Sequence, residues 1–209
     1  MRFGGLVLVL FVLVGCTAEA PAAPQPSAAT TTAAPAPDPA ALQARVTEAR
    51  IPDDAIARLG FQPQGSEEGA GFVVLCPDEL ATDGDRATVQ ETHSWTSPGT
   101  ALQQTIIPYV RDGAAKETVD LARASLECAP IEVDGGTYTP VDELNVVDMR
   151  ADAQFAMCFH KSDDDTHVCH LLLSKADMLV VLTHVGKTEG LAAMAFAIAG
   201  RAAAERLSA

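Results

Sequence analysis

Apolar positions along the chain change their period several times, and each change marks an element. Leu42, Val46 and Ala49 recur at helical spacing and predict a short amphipathic helix over residues 39–50. Pro52-Asp53-Asp54 reads as the start of a second short helix, Ala55 to Leu59, stopped by Gly60. Gly65 to Gly71 is polar and reads as a loop, and Phe72 to Cys76 as a short apolar strand. Alternation returns in Ala87 to Thr96 and in Ala101 to Val110, around Ser97-Pro98-Gly99, and predicts a hairpin with Trp95 facing Leu102. Pro108 lies inside the second run, so that strand is expected at an edge or to end early. Ala115, Val119, Ala122 and Leu126 then predict a helix over residues 114–127, with Cys128 directly after it and Pro130 ending it. Residues 131–148 mix Gly135-Gly136, Pro140 and short extended pieces. Three closely spaced strands follow, at about 149–160, 166–174 and 178–185. The chain closes with a helix over Glu189 to Leu207, with Leu191, Met194, Ala195, Ile198 and Ala202 on one stripe and an Ala-rich surface suited to close packing on a sheet. Together these predict an α+β domain, a twisted antiparallel β-sheet packed by two main helices.

The first residues follow a different pattern. Met1-Arg2 is followed by an unbroken apolar run from Leu6 to Val14, too short to span a bilayer but suited to the core of a secretory signal. It closes on Leu13-Val14-Gly15-Cys16, which resembles a bacterial lipobox. That resemblance implies a diacylglycerol on the Cys16 thiol, cleavage before it, and a soluble domain anchored to the outer leaflet of the cell membrane. Residues 17–40 are nearly all Ala, Pro, Thr, Ser and Gln, a composition that cannot bury a core. The expected organisation is therefore a signal peptide over residues 1–15, a lipidated Cys16 with a disordered Ala/Pro/Thr spacer over 16–40, and a folded domain over 41–209.

Charge narrows the partners. Acids outnumber bases 28 to 14, a net charge of −14, which excludes a nucleic-acid binder because no basic face is available for phosphates. Anionic lipid heads would be repelled unless a local basic patch exists.

Beyond Cys16 four cysteines remain, Cys76, Cys128, Cys158 and Cys169, an even number that in an exported chain reads as two disulfides. Strand-like runs flank the Ser162-Asp163-Asp164-Asp165 turn, and a hairpin centred there sets Cys158 opposite Cys169. Elimination pairs Cys76 with Cys128. The same hairpin would place His160 and His167 beside the two cysteines on one face, a donor set a zinc ion also accepts, but an oxidising compartment favours the disulfide.

The order strand–strand–helix–Cys, then a disulfide hairpin, then strand and Ala-rich helix, carries a resemblance. The residues concerned are Thr100 to Val110, Leu121-Ala122 with Cys128 after them, Cys158 with Cys169, and Met178 to Val185 followed by Ala192 to Leu207. Over about residues 52–207 the chain resembles the extracellular sensor domain of the actinobacterial receptor kinase PknH and the stand-alone lipoproteins that share it. The resemblance implies an α+β fold, two disulfides, and a cleft for an unidentified ligand. No kinase domain and no membrane-spanning helix follows the signal here, so signalling is expected to need a partner.

Catalytic patterns are missing. There is no Gly-x-Ser-x-Gly, His-Glu-x-x-His, phosphate-binding glycine loop or Ser-x-x-Lys, and oxidised cysteines are poor nucleophiles. No cofactor or metal is expected. His170 and His184 fall on adjacent strands where they could approach each other, and Trp95 with Tyr109 could supply a stacking platform; these four are the candidate ligand-binding residues. The reading is a non-catalytic surface lipoprotein that binds a small-molecule or protein ligand, with a cell-envelope hydrolase or metal-dependent enzyme of unrecognised motif as the alternative.

Overall fold

The computed structural model describes residues 38–69, 73, 80–124, 130–133 and 135–208. The predicted strand over Phe72 to Cys76, and with it Cys16, Cys76 and Cys128, lies outside the described residues except for Val73. Residues 36–209 form one compact unit.

Among the described residues, eight antiparallel strands make one sheet. They are β1 (Gln62–Glu68), β2 (Glu91–Ser97), β3 (Thr100–Pro108), β4 (Ile131–Val133), β5 (Gly136–Glu143), β6 (Ala153–Lys161), β7 (Thr166–Lys175) and β8 (Met178–Gly186). Their spatial order is β1-β2-β3-β8-β7-β6-β5-β4, so two meanders join where β8 pairs with β3. Helices α1 (Pro39–Glu48), α2 (Asp53–Ala57) and α4 (Glu189–Leu207) cover one face, and α3 (Ala114–Ala124) covers the other. The fold is α+β as expected, with a helical layer larger than the two main helices predicted.

The hairpins form where turn chemistry allows. Ser97 pairs with Thr100, leaving Pro98-Gly99 as a two-residue turn with Gly99 at φ 77°, a conformation that favours glycine. Trp95 faces Leu102, and Cys158 faces Cys169. β7 is buried continuously from Val168 to Ser174, because helices close both sides of the sheet. One expectation is corrected. Residues 62–68, read partly as loop, form an exposed edge strand irregular between Pro63 and Gly65; its polar sequence hid it, since an edge strand with both faces wet carries no alternation. Of the two outcomes expected at Pro108, β3 shows the second: it lies between β2 and β8 and ends early, at Pro108.

α4 packs on the sheet through its Ala-rich surface, as expected. Its buried residues are Ala192, Ala195, Phe196, Ala199, Gly200, Ala203 and Ala204, while Leu191, Met194 and Ile198 point outward. The reason is proximity. A Cβ on Gly200 would lie 2.6 Å from the Met149 sulfur and 2.7 Å from Leu171 Cδ2, so no side chain fits at that position, while Phe196 fills the core one turn earlier.

Candidate functional site

The four candidate ligand-binding residues lie on two faces of the sheet. Trp95 and His184 belong to the face covered by α4; Tyr109 and His170 face α3. The register explains the split of the histidines. His184 pairs with Cys169 and His170 with Thr183, one step out of line, and successive residues point to opposite sides. All four side chains are buried, so they form no shared cleft. The approach of His170 to His184 expected from sequence does not occur.

On the α4 side, one row crosses the sheet from Trp95 through Leu102, His184 and Cys169 to Cys158. Cys158 and Cys169 are joined by a disulfide, and this is the one disulfide among the described residues. His160 and His167 meet edge to face beside it with ring centroids 5.4 Å apart; among the described residues no three His, Cys, Asp or Glu side chains group to hold a metal ion. His160 Nε2 lies 2.9 Å from Asp165, and His167 Nε2 lies 3.5 Å from Glu189.

His184 is held from one side. The Thr100 hydroxyl donates to the Val185 carbonyl at 2.9 Å and so accepts from His184 Nε2–H, also at 2.9 Å. His184 Nδ1 is then the bare nitrogen, and it has no hydrogen-bond partner. Burial lowers the His184 pKa to about 4. His170, bonded through Nδ1 to the Thr183 hydroxyl at 3.0 Å, is lowered further, to about 3, by the same cause.

A polar cluster that sequence reasoning missed holds the α1–α2 link to the sheet. Asp53 Oδ1 accepts from Trp95 Nε1 at 2.7 Å and from His93 Nε2 at 3.1 Å. Arg50 carries only donors, so its contact with His93 Nδ1 at 3.1 Å fixes Nε2 as the protonated nitrogen. Arg50 also pairs with Glu91 at 3.2 Å. The Trp95 and His93 hydrogen bonds hold the Asp53 carboxyl below its usual range. Next to them, Gln104 accepts from Ile51 N–H at 2.9 Å and donates to the Ala49 carbonyl at 3.0 Å. Both His93 nitrogens are engaged, so the cluster clamps the helices and offers no free base. Its signal in the sequence was the polar alternation of Glu91, His93 and Gln104 in strands otherwise apolar on that face.

The open surface lies around α4. A cleft of ≈ 510 Å³ runs between the 148–150 turn and the end of α4, lined by Asp148, Met149, Arg150, Arg201, Ala204, Glu205 and Ser208. A second, of ≈ 290 Å³, lies across the helix between α2 and α4, and shares Arg201 and Glu205. Arg58, Arg150, Arg201 and Arg206 line these and an adjoining cleft, and none forms an ion pair among the described residues. The other described arginines all do. No helix among the described residues is long and apolar enough to cross a membrane.

No family model and no curated protein matches this chain. Among solved structures, the chain is similar to the extracellular domain of PknH from Mycobacterium tuberculosis. The match covers 77% of this chain and 95% of that one at 11% identity, with a TM-score of 0.55. At this identity the likeness is one of fold.

Proposed function

We propose that this protein is a non-catalytic sensing module, held on the extracytoplasmic side of a cell membrane by acylated Cys16, that captures a ligand in the clefts beside α4. The observation that carries this reading is the shared fold with a receptor's extracellular domain, across nearly the whole of that domain. The Leu13-Val14-Gly15-Cys16 sequence and the cross-strand disulfide support an exported, oxidised chain. Ligand contact is assigned to the α4 clefts because Trp95, Tyr109, His170 and His184 are covered by helices, whereas Arg150 and Arg201 are exposed and unpaired. Two guanidinium groups of this kind suit a carboxylate or phosphate.

Mass spectrometry of the native protein, extracted from membranes, tests the reading. The expected result is a chain starting at Cys16 with a diacylglycerol adduct and without free Cys158 or Cys169 thiols. An unprocessed Met1 form recovered from the cytosol with reduced cysteines would refute it. For the ligand, Arg201→Ala is expected to release any anionic molecule that copurifies with the parent protein.

A further inference from the structure

The larger cleft beside α4 has a charge pattern that narrows its ligand. Each wall carries one acid and one base: Asp148 and Arg150 on the 148–150 turn, Glu205 and Arg201 on the helix. Arg201 and Glu205 are four residues apart, so they share one side of α4 with their Cβ atoms about 6 Å from each other. All four residues are exposed, and none forms an ion pair among the described residues. Met149 and Ala204 also line the cleft and are buried, which gives it an apolar floor.

The turn is set in place by its own chain. Gln154 on β6 accepts from the Met149 N–H at 2.9 Å and donates to the Val147 carbonyl at 3.1 Å. The Arg150 N–H donates to Asp148 Oδ1 at 2.8 Å and leaves Oδ2 open. Arg150 itself sits at φ 59°, a conformation that side chains other than glycine adopt only under such constraint. One wall is therefore organised in advance, which lowers the ordering cost of binding.

We propose that this cleft takes a zwitterion, a free amino acid or short peptide with an apolar side chain, its carboxylate on Arg150 and Arg201 and its ammonium on Asp148 and Glu205. The proposal rests on the reading above that the α4 clefts hold the ligand, and narrows the carboxylate or phosphate given there to the carboxylate of a zwitterion. Charge decides between the two. Two bases and two acids leave the lining formally neutral in a chain of net charge −14. A plain anion gains two guanidinium contacts and is repelled by two carboxylates, whereas a zwitterion matches all four groups. The apolar floor suits an apolar side chain, and ≈ 510 Å³ lies within the range of small-molecule sites.

Calorimetric titration of the native protein, extracted from membranes in detergent, tests this with leucine, dileucine, N-acetyl-dileucine, dileucine amide and inorganic phosphate. Leucine or dileucine is expected to bind at least tenfold more tightly than either blocked peptide, because each block removes one charged contact; the tighter of the two identifies the free amino acid or the peptide as the source. Glu205→Gln is expected to weaken the zwitterion about tenfold and to leave N-acetyl-dileucine unchanged or tighter. Loss of both probes in that variant would mean a damaged cleft rather than a lost ammonium contact, and would overturn the proposal. N-acetyl-dileucine or phosphate binding as tightly as the zwitterions, and lost in Arg201→Ala, would also overturn it while the α4 cleft stands as an anion site. Zwitterion binding that survives Arg201→Ala would sink both readings, and absence of binding by every probe would sink this one; the native mass, which tests the anchor, is read independently.

Discussion

α3 and α4 cover opposite faces of the same sheet, and they are built differently. α3 buries Ala114, Ala115, Thr118, Val119 and Ala122 and turns charge outward. Its outer residues are paired: Lys116 with Asp120 at 3.3 Å, Glu117 with Arg111 at 2.8 Å, and Arg123 with Glu143 at 3.7 Å. α4 is apolar on both sides, with Phe196 and small residues inward and Leu191, Met194 and Ile198 outward. Its outer arginine, Arg201, has no ion pair among the described residues. A helix that only covers a core has no use for large apolar residues on its wet side, so the difference marks α3 as a cover and α4 as a surface for contact.

The largest expected effect falls under the α1, α2 and α4 layer. Trp95→Ala removes a fully buried ring and the Nε1 donor of Asp53, and is expected to cost about 3–5 kcal/mol in urea unfolding. A cost below that of a surface substitution would show that this layer does not depend on its largest side chain. Opening the Cys158–Cys169 disulfide, by Cys158→Ala with Cys169→Ala, is expected to cost about 3 kcal/mol by the chain-entropy model.

Acid separates the two faces through His184 on the α4 side and His170 on the α3 side. The ordinary histidine value is about 6.5. In the folded protein burial lowers His184 to about 4 and His170 to about 3. The unfolded chain therefore takes up the protons first. The contribution of each histidine to stability is intact above pH 6.5 and is lost as pH falls towards its folded value. Near pH 5 the loss is about 2 kcal/mol for each. Thermal unfolding followed from pH 7 to 4.5 measures it, and His170→Leu is expected to remove the α3-side share of the slope; an unchanged slope would refute that assignment.

Gly200→Val tests why α4 carries alanine inward. The added side chain meets Met149 and Leu171, and a loss of about 1–3 kcal/mol is expected. Smallest of all, Met194→Gln on the outer stripe is expected to change stability by no more than about 0.5 kcal/mol. A large loss there would mean that Met194 serves the fold, and the contrast with α3 would fall.

Much of the scaffold could be read from the chain. The pairing of Cys158 with Cys169 followed from a turn rich in aspartate between two strand-like runs, and that of Trp95 with Leu102 from the Pro98-Gly99 turn, because hairpin register is a local property. The bounds of α4 matched for the same reason. The site was far less legible. Asp53 looked like a helix start, yet its carboxylate meets His93 and Trp95, 40 and 42 residues away, and no local pattern announces such a contact. His170 and His184 looked like neighbours because their strands are adjacent, but one step of register separates two faces of a sheet.

The sequence alone determined what depends on near neighbours: helix and strand periods, hairpin turns, and the apolar run from Leu6 to Val14 before Cys16. Tertiary structure decided what depends on distance and on which side is covered. It joined the two meanders through β3 and β8, buried the four candidate ligand residues, and brought α4 so near Met149 and Leu171 at Gly200 that the helix turned Phe196 and its alanines inward and left Leu191, Met194 and Ile198 outside. Helical periodicity fixes which residues share a stripe, and only the space beneath the helix decides which stripe turns inward.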